Sequence, residues 1–144
     1  MRRNDGFTLI EITIVVTIIG IMAFIAVPNF KSWMHHTRYT GFVRDAYTEF
    51  QQGRNRALST GIGHEVVVDP GNETIRLRRT SDGVFVRPLL VAPSSCDIVS
   101  GTSVTFSSNG TASTNGNVRI QNKFQATDNQ TITVTLGTGR VKLQ

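Results

Sequence analysis

A single apolar stretch near the amino terminus limits what this chain can fold into. From Phe7 to Val27 the sequence runs FTLIEITIVVTIIGIMAFIAV, twenty-one residues of which only Glu11 is ionisable. At about 1.5 Å per residue a helix of this length is roughly 31 Å long, close to the roughly 30 Å hydrocarbon core of a bilayer. The stretch is long enough to span a membrane, and Arg2 and Arg3 would form its positive cytoplasmic flank.

Glu11 separates this stretch from an ordinary membrane anchor or an uncleaved signal sequence. A carboxylate inside a spanning helix costs about 2.5–3.5 kcal/mol at the bilayer centre and less near an end, so such acids usually have a partner or a function. The leader before Phe7 is only MRRNDG, with no apolar region of its own and no small-residue cleavage signal near residue 27. We therefore expect the apolar stretch to be retained in the mature protein.

The run from Gly6 to Glu11, GFTLIE, resembles the processing motif of type IV pilins and type II secretion pseudopilins, and the resemblance continues to Pro28. It implies that a prepilin peptidase cleaves between Gly6 and Phe7 and methylates the new amino terminus of Phe7. It also implies that Glu11 neutralises the terminal amine of a neighbouring subunit during assembly. The alternative is a plain anchor that contains Glu11 by chance.

The charge and the cysteine content limit the rest of the chain. When Arg2, Arg3, Asp5 and Glu11 are left out, thirteen basic and eight acidic residues remain, a net charge of +5. This moderate basic bias is typical of a solvated surface and is also compatible with a polyanionic partner. Cys96 is the single cysteine, which excludes an intrachain disulfide; we expect it to be buried, the alternative being a thiol that can pair between chains.

Apolar residues recur at helical spacing beyond the apolar stretch, so we predict one helix from the membrane to about Ser59. Pro28 would kink this helix because it removes a backbone hydrogen bond, and Gly61 and Gly63 would end it. The apolar positions of its second half are Phe30, Trp33, Met34, Phe42, Val43, Ala46, Tyr47, Phe50, Ala57 and Leu58. This second half should pack its apolar face on a sheet.

Short β-type segments separated by turn residues follow residue 63. We predict strands around Val66, Ile75, residues 84–87, 102–106, 118–120, 131–136 and 140–143, with an irregular connection over 88–96. The predicted fold class is α+β: a long kinked amino-terminal helix, transmembrane in its first half, packed on an antiparallel β-sheet domain. The predicted divisions are a leader at 1–6, a transmembrane and filament-core helix at 7–28, its amphipathic half at 29–60 and the β domain at 61–144.

The carboxyl half resembles the GspH/FimT family of minor pilins. The resemblance lies in two strand-turn patterns, 104–112 and 131–142, and in the residues RNRA at 54–57. It implies a minor pilin or pseudopilin that primes or caps a type IV pilus or a type II secretion pseudopilus near the filament tip. The implied partners are other pilin subunits, prepilin peptidase and the bacterial inner membrane, with the carboxyl-terminal domain in the periplasm or on the pilus surface.

No motif in the sequence supports catalysis. His64 and Glu65 are not followed by a second His at the spacing of a zinc-binding helix, and His35 and His36 point to different helix faces. The Gly-rich segments at 61–63 and 137–139 lack the features of a nucleotide-binding loop. We therefore predict no metal, no cofactor and no enzymatic activity.

DNA is a second candidate partner, because resemblance to FimT-like pilins implies a receptor for natural transformation. Arg140 and Lys142 resemble the carboxyl-terminal G-R-x-R element of that family, with Lys in place of the second Arg. Lys keeps the charge but loses the bidentate fork of Arg. Arg76, Arg78 and Arg119 would extend the basic surface. The alternative is a solvated face of an edge strand, where charge discourages pairing with other chains.

Overall fold

The computed structural model describes residues 7–144, which form one helix and eight strands. The chain divides into two compact units, one ending at Met34 and the other His35–Gln144. The elements are α1 (Leu9–Thr60), β1 (His64–Asp69), β2 (Thr74–Arg79), β3 (Leu90–Val91), β4 (Cys96–Gly101), β5 (Val104–Phe106), β6 (Gly116–Asn122), β7 (Gln125–Val134) and β8 (Val141–Leu143). The predicted combination of one long amino-terminal helix and an antiparallel sheet domain is confirmed.

Within the first unit, three threonine hydroxyls form hydrogen bonds with the backbone of α1. Thr8 caps the helix, because its hydroxyl oxygen accepts a hydrogen bond from the Glu11 amide at 3.3 Å. The hydroxyls of Thr13 and Thr17 donate to the carbonyls of Ile10 and Thr13, at 2.8 and 2.7 Å. This matters in an apolar environment, where an unpaired polar group is costly. Pro28 lies inside the helix, and the kink there stays a prediction.

In the second unit, α1 buries an apolar face at helical spacing, as predicted, but the prediction is wrong for Phe30, Trp33 and Leu58, which are 50–61% exposed. The buried apolar side chains are Tyr39, Phe42, Val43, Ala46, Phe50 and Ala57. Tyr39 also donates its hydroxyl to the carbonyl of Ile120 at 3.3 Å, and burial raises the pKa of Tyr39 to about 12. The helix ends where predicted, since Gly61 adopts φ +66° and its amide donates to the Ala57 carbonyl at 3.1 Å.

The strands form two four-stranded sheets whose inner faces share the core with α1. Sheet A has the order β3-β2-β1-β5 and sheet B the order β4-β6-β7-β8, and all neighbouring strands are antiparallel. Glycines allow close approach at two seams, one where α1 packs on sheet A and one where sheet B meets sheet A. A Cβ on Gly53 of α1 would lie 3.0 Å from Val66, and a Cβ on Gly116 would overlap Val104 of sheet A. Side-chain packing across these seams therefore depends on the missing Cβ atoms.

Three strand predictions differ from the structure. The strand at 84–87 is wrong, because only Phe85 forms an isolated bridge, to Arg78. The connection at 88–96 contains the short strand β3, which pairs with β2. The sequence analysis did not find β4, a strand whose pairing with β6 contains a register shift between Ile98 and Ser100. These segments depend on pairing with distant parts of the chain, which periodicity does not show.

Cys96, the first residue of β4, is buried as expected and is a free thiol. Burial raises the pKa of this thiol, so the protonated form is favoured. A buried, protonated thiol is a poor nucleophile. Cys96 therefore contributes to packing rather than to chemistry.

Candidate functional site

The amino-terminal site lies in the first unit, at the start of α1. Phe7 is 80% exposed, and Glu11 lies exposed in the first helical turn, where the positive end of the helix dipole favours an acid. Within residues 7–144 the Glu11 carboxylate has no hydrogen-bond or ion-pair partner, so it is available to a group from another molecule. Gly6 and the predicted leader, residues 1–6, lie outside the described residues.

The first half of α1 exposes apolar side chains over its whole circumference. By length and composition it is apolar enough to cross a membrane, and its most hydrophobic window buries none of its residues. Large exposed apolar surfaces mark contacts with lipid or with other proteins. Gly20, Ala23 and Phe24 line a shallow apolar depression on this surface.

Sheet B brings together three of the five predicted DNA-binding residues. Arg119 of β6 lies opposite Thr131 of β7, and Lys142 of β8 lies opposite Thr133. Since Thr131 and Thr133 are two residues apart, all four side chains lie on the outer face of the sheet. Two strand spacings of about 4.8 Å and an offset of two residues, about 7 Å along the strands, separate the backbones of Arg119 and Lys142, roughly 12 Å in all.

Arg140 extends this basic face beyond the end of β8. Its carbonyl accepts a hydrogen bond from the Thr135 amide at 3.0 Å, which continues the pairing of the last hairpin. Because Arg140 and Lys142 are two residues apart, they share a face, and both are exposed. We call Arg119, Arg140, Lys142, Thr131 and Thr133 the sheet B basic face. Within residues 7–144, none of its three cations forms a salt bridge.

Arg76 and Arg78 lie instead on the outer face of sheet A, and both interact with neighbours in that sheet. The Arg78 guanidinium pairs with Glu65 of β1 at 2.6 Å. Arg76 lies over the ring of Phe85, with its guanidinium carbon 3.6 Å from the ring centroid. The structure therefore does not bring Arg76 and Arg78 onto the face that holds Arg119, Arg140 and Lys142.

The sequence analysis missed the neighbours that set the character of each face. Glu65 could have been found from the Pro70-Gly71 turn, because counting outward from a hairpin that pairs Asp69 with Thr74 places Glu65 opposite Arg78. Phe85 gave no such signal, because it approaches Arg76 through a single bridge rather than a regular strand.

The histidines and acids do not form a metal centre. His36 pairs with Asp128 at 3.1 Å, and His35 stacks on Phe124 with ring centroids 3.9 Å apart. Among the described residues, no group of three or more His, Cys, Asp or Glu side chains is placed to hold a metal ion.

Residues 1–27 match the family described as the prokaryotic N-terminal methylation motif. Over 28 residues the chain is 75% identical to the type IV major pilin protein PilA of Myxococcus xanthus, which covers 19% of this chain and 13% of that protein. Over 45 residues it is 47% identical to a fimbrial protein of Pseudomonas aeruginosa, covering 31% of this chain and 29% of that protein. The chain therefore spans less than a third of the length of these curated relatives.

The fold of the whole domain is also known in solved structures. The type IV minor pilin FimU of Pseudomonas aeruginosa superposes with a TM-score of 0.62 at 14% identity, covering 78% of this chain and 92% of that one. The minor pseudopilin EpsH of the Vibrio cholerae type 2 secretion system gives a TM-score of 0.62 at 12% identity, covering 74% and 96%. The chain is type IV pilin-like, in both its fold and its amino-terminal motif.

A further relative is the type II secretion system core protein G of Aeromonas hydrophila, which is 29% identical over 94 residues, 61% of this chain and 66% of that protein. The relatives of this pilin-like chain are thus structural subunits of pili and of secretion systems. This confirms the prediction that the chain is not an enzyme. The methylation motif and the apolar helix together indicate a membrane-anchored protein.

Proposed function

We propose that the chain is a minor pilin or pseudopilin of the GspH/FimT type, which assembles into a type IV pilus or a type II secretion pseudopilus near the filament tip. The observation that carries this proposal is a methylation motif joined to a helix with one acid in its first turn. Prepilin peptidase would cleave after Gly6 and methylate Phe7. Before assembly the chain would cross the bacterial inner membrane once, with the domain after Asn29 in the periplasm.

Glu11 would act by meeting the amino terminus of a neighbouring subunit. Two opposite charges about 4 Å apart attract by about 4 kcal/mol at an effective dielectric near 20, which offsets the cost of an acid in lipid. Glu11 is exposed in the first turn of α1. This supports the role, because no described residue competes for the carboxylate. The charge would thereby fix the axial register of the incoming subunit.

The test replaces Glu11 with Gln and measures the amount of chain in purified filaments and in membranes. Glu11→Gln should insert into the membrane and lose its leader, yet enter filaments at no more than a few per cent of the native level. Thr13→Ala, a nearby change without loss of charge, is the control and should assemble normally. Normal incorporation of Glu11→Gln would disprove the assembly role.

Cleavage is tested separately, because it depends on Gly6 rather than on Glu11. A branched side chain at the cleaved bond should prevent recognition, so Gly6→Val should accumulate as a precursor with residues 1–6 still attached. Intact mass and the mass of the amino-terminal peptide distinguish the two forms and show whether Phe7 is methylated. A mature mass for Gly6→Val would show that cleavage does not depend on Gly6 and would reject recognition of this residue by prepilin peptidase.

A second candidate function is DNA binding by a minor pilin that acts as a receptor in natural transformation. The sheet B basic face favours it, because three cations that form no salt bridge within residues 7–144 lie among hydroxyl side chains that can also donate to phosphate oxygens. Such a surface would hold the DNA backbone without reading bases, so affinity should fall steeply with salt.

The DNA test titrates the full chain in detergent with a labelled duplex at low and at high salt. Arg140→Ala combined with Lys142→Ala should reduce low-salt affinity about tenfold or more. Each lost phosphate contact lowers the number of counterions that are released on binding. The matched control combines Arg76→Gln with Arg78→Gln, which removes equal charge from sheet A. If native chain fails to bind, or both double variants lose affinity equally, the sheet B basic face is not the binding site.

A further inference from the structure

Residues 84–91 form an apolar rim at the edge of sheet A, where they pair with β2. Four side chains of this segment, 43–56% exposed, are Val84, Phe85, Leu89 and Val91. Phe85 lies opposite Arg78, and Val91 lies opposite Thr74, so both belong to the outer face of sheet A. The alternate residues Val86 and Leu90 pack against the core, so the segment cannot turn its exposed side chains inward without losing these core contacts.

Arg87 connects this apolar rim to α1 through hydrogen bonds from its guanidinium. Its Nε donates to Glu49 at 2.7 Å, and its Nη1 donates to Gln52. Glu49 is only 5% exposed, so the ion pair is largely shielded from water, and breaking it would leave a buried charge unpaired. The apolar side chains are thus held at the surface in a fixed arrangement, which reduces the ordering cost of binding a partner.

Arg76 places one uncompensated charge beside the rim. Its guanidinium stacks on Phe85, and its buried Nε has no hydrogen-bond partner among the described residues. Two other charged residues on the outer face of this sheet have partners within it: Arg78 pairs with Glu65, and Asp69 accepts hydrogen bonds from Asn72. Within residues 7–144, Arg76 has no ion-pair partner. It is therefore positioned to receive a carboxylate from another molecule.

We propose that Arg76, Val84, Phe85, Leu89 and Val91, here called the Arg76 surface, bind a neighbouring pilin-type subunit that presents a carboxylate among apolar side chains. An Arg stacked on an aromatic ring inside an apolar rim has the composition of an interface hot spot. A second copy of this chain fits poorly, because a two-fold contact would bring Arg76 towards its symmetry mate. Nucleic acid also fits poorly, because a polyanion would cover the apolar rim without apolar contacts in return.

The inference rests on the proposed function, since the partner is sought among filament subunits. A photo-crosslinking amino acid replaces Val84 in the full chain, expressed in cells that produce the complete set of subunits. The control position is Val99, a similarly exposed valine on β4. We expect an adduct with a different pilin-type subunit from position 84 and not from position 99. Arg76→Gln should lower its yield about tenfold, whereas Arg78→Gln should change it less than twofold.

Adduct yield is normalised to the amount of protease-resistant chain in the membrane, so poor folding of Arg76→Gln does not imitate lost binding. The inference is overturned by an adduct only with a second copy, by an adduct with nucleic acid, by no adduct above that of position 99, or by a yield that Arg76→Gln leaves unchanged. Filament entry of the unsubstituted chain is measured in parallel. Normal entry of that chain without an adduct from position 84 rejects this inference alone, whereas failure of the unsubstituted chain to enter filaments rejects the proposed function.

Discussion

The outer faces of the two sheets carry similar numbers of cations but differ in what surrounds them. On sheet B, Arg119, Arg140 and Lys142 lie among threonines and form no salt bridge with the described residues. On sheet A, Arg78 is neutralised by Glu65, and Arg76 lies against Phe85. The first face suits an extended polyanion and the second suits a protein with one acid. Strand pairing, rather than the count of basic residues, decides the function to which an Arg is suited.

The largest expected effect is on stability and comes from Gly116, at the seam where sheet B meets sheet A. Gly116→Ala places a Cβ against Val104 and Val134, where there is no room. Overpacking of this kind typically costs about 1–3 kcal/mol, so the denaturation midpoint of the full chain in detergent should fall clearly. Gly41→Ala is the control, because no atom lies within 4 Å of the added Cβ, and the change should stabilise the helix by about 0.5–1 kcal/mol. Equal midpoints for the two variants would contradict the packing described for the seam.

A smaller effect separates the two faces directly. Arg119→Gln should weaken binding to duplex DNA about threefold to tenfold at low salt and reduce the salt slope by about 0.9, because one phosphate contact is lost. Arg78→Gln removes the same charge from sheet A and should leave both quantities unchanged, because Glu65 already neutralises Arg78. Fluorescence anisotropy over a series of salt concentrations measures both. Equal losses would mean that net charge, not the sheet B basic face, governs binding.

The ion pair between Glu65 and Arg78 should also stabilise sheet A, because it joins β1 to β2. Glu65 is 20% and Arg78 41% exposed, so this cross-strand pair is partly screened by water. Glu65→Gln should cost about 0.5 kcal/mol of the free energy of unfolding, measured by denaturant titration. Asp82→Asn, which breaks the more exposed pair with Arg79, is the comparison and should cost less. If Asp82→Asn lowers the free energy of unfolding more than Glu65→Gln does, the cross-strand position of the Glu65–Arg78 pair adds no stability.

The smallest effect concerns acid sensitivity at the turns. The Asn72 side chain donates to Asp69 at 2.6 Å and, with the Asn72 amide, lowers the pKa of Asp69 below 3.8. A lowered folded pKa means that this stabilisation is present above about pH 4 and is lost as the pH falls through the folded pKa. Asn72→Ala should raise the pKa of Asp69, as an NMR titration would show. In sheet B the turn at residues 137–139 contains no acid, so the corresponding hairpin should not respond.

Local signals were enough to predict the helix and most turns. The continuous apolar face up to Ala57 and the glycine at 61 placed the end of α1 correctly, and the glycines at 110, 137 and 139 adopt the positive φ that tight turns need. β4 escaped prediction because it buries only Cys96 and Ile98, too few for a visible alternation. Its strand conformation comes from pairing with β6, more than fifteen residues away in sequence.

The division of basic residues between two faces could not be predicted for the same reason. Arg76 and Arg119 both alternate with buried residues, and nothing local distinguishes them. Their faces separate only because β1 pairs with β5 and β4 pairs with β6, which are long-range choices. The amino-terminal motif differs in kind, because its residues are consecutive. Glu11 could therefore be assigned its place in the motif from the sequence alone.

The register shift at Val99 has a consequence for the two open edges of sheet B. Sheet B ends at β4 on one side and at the three-residue β8, which carries Lys142, on the other. A bulged edge and a short, charged edge both discourage a foreign strand from adding to the sheet. A protein that is concentrated in a membrane would otherwise risk fusing through its sheets into amyloid-like aggregates. Both ends of sheet B are built to resist this.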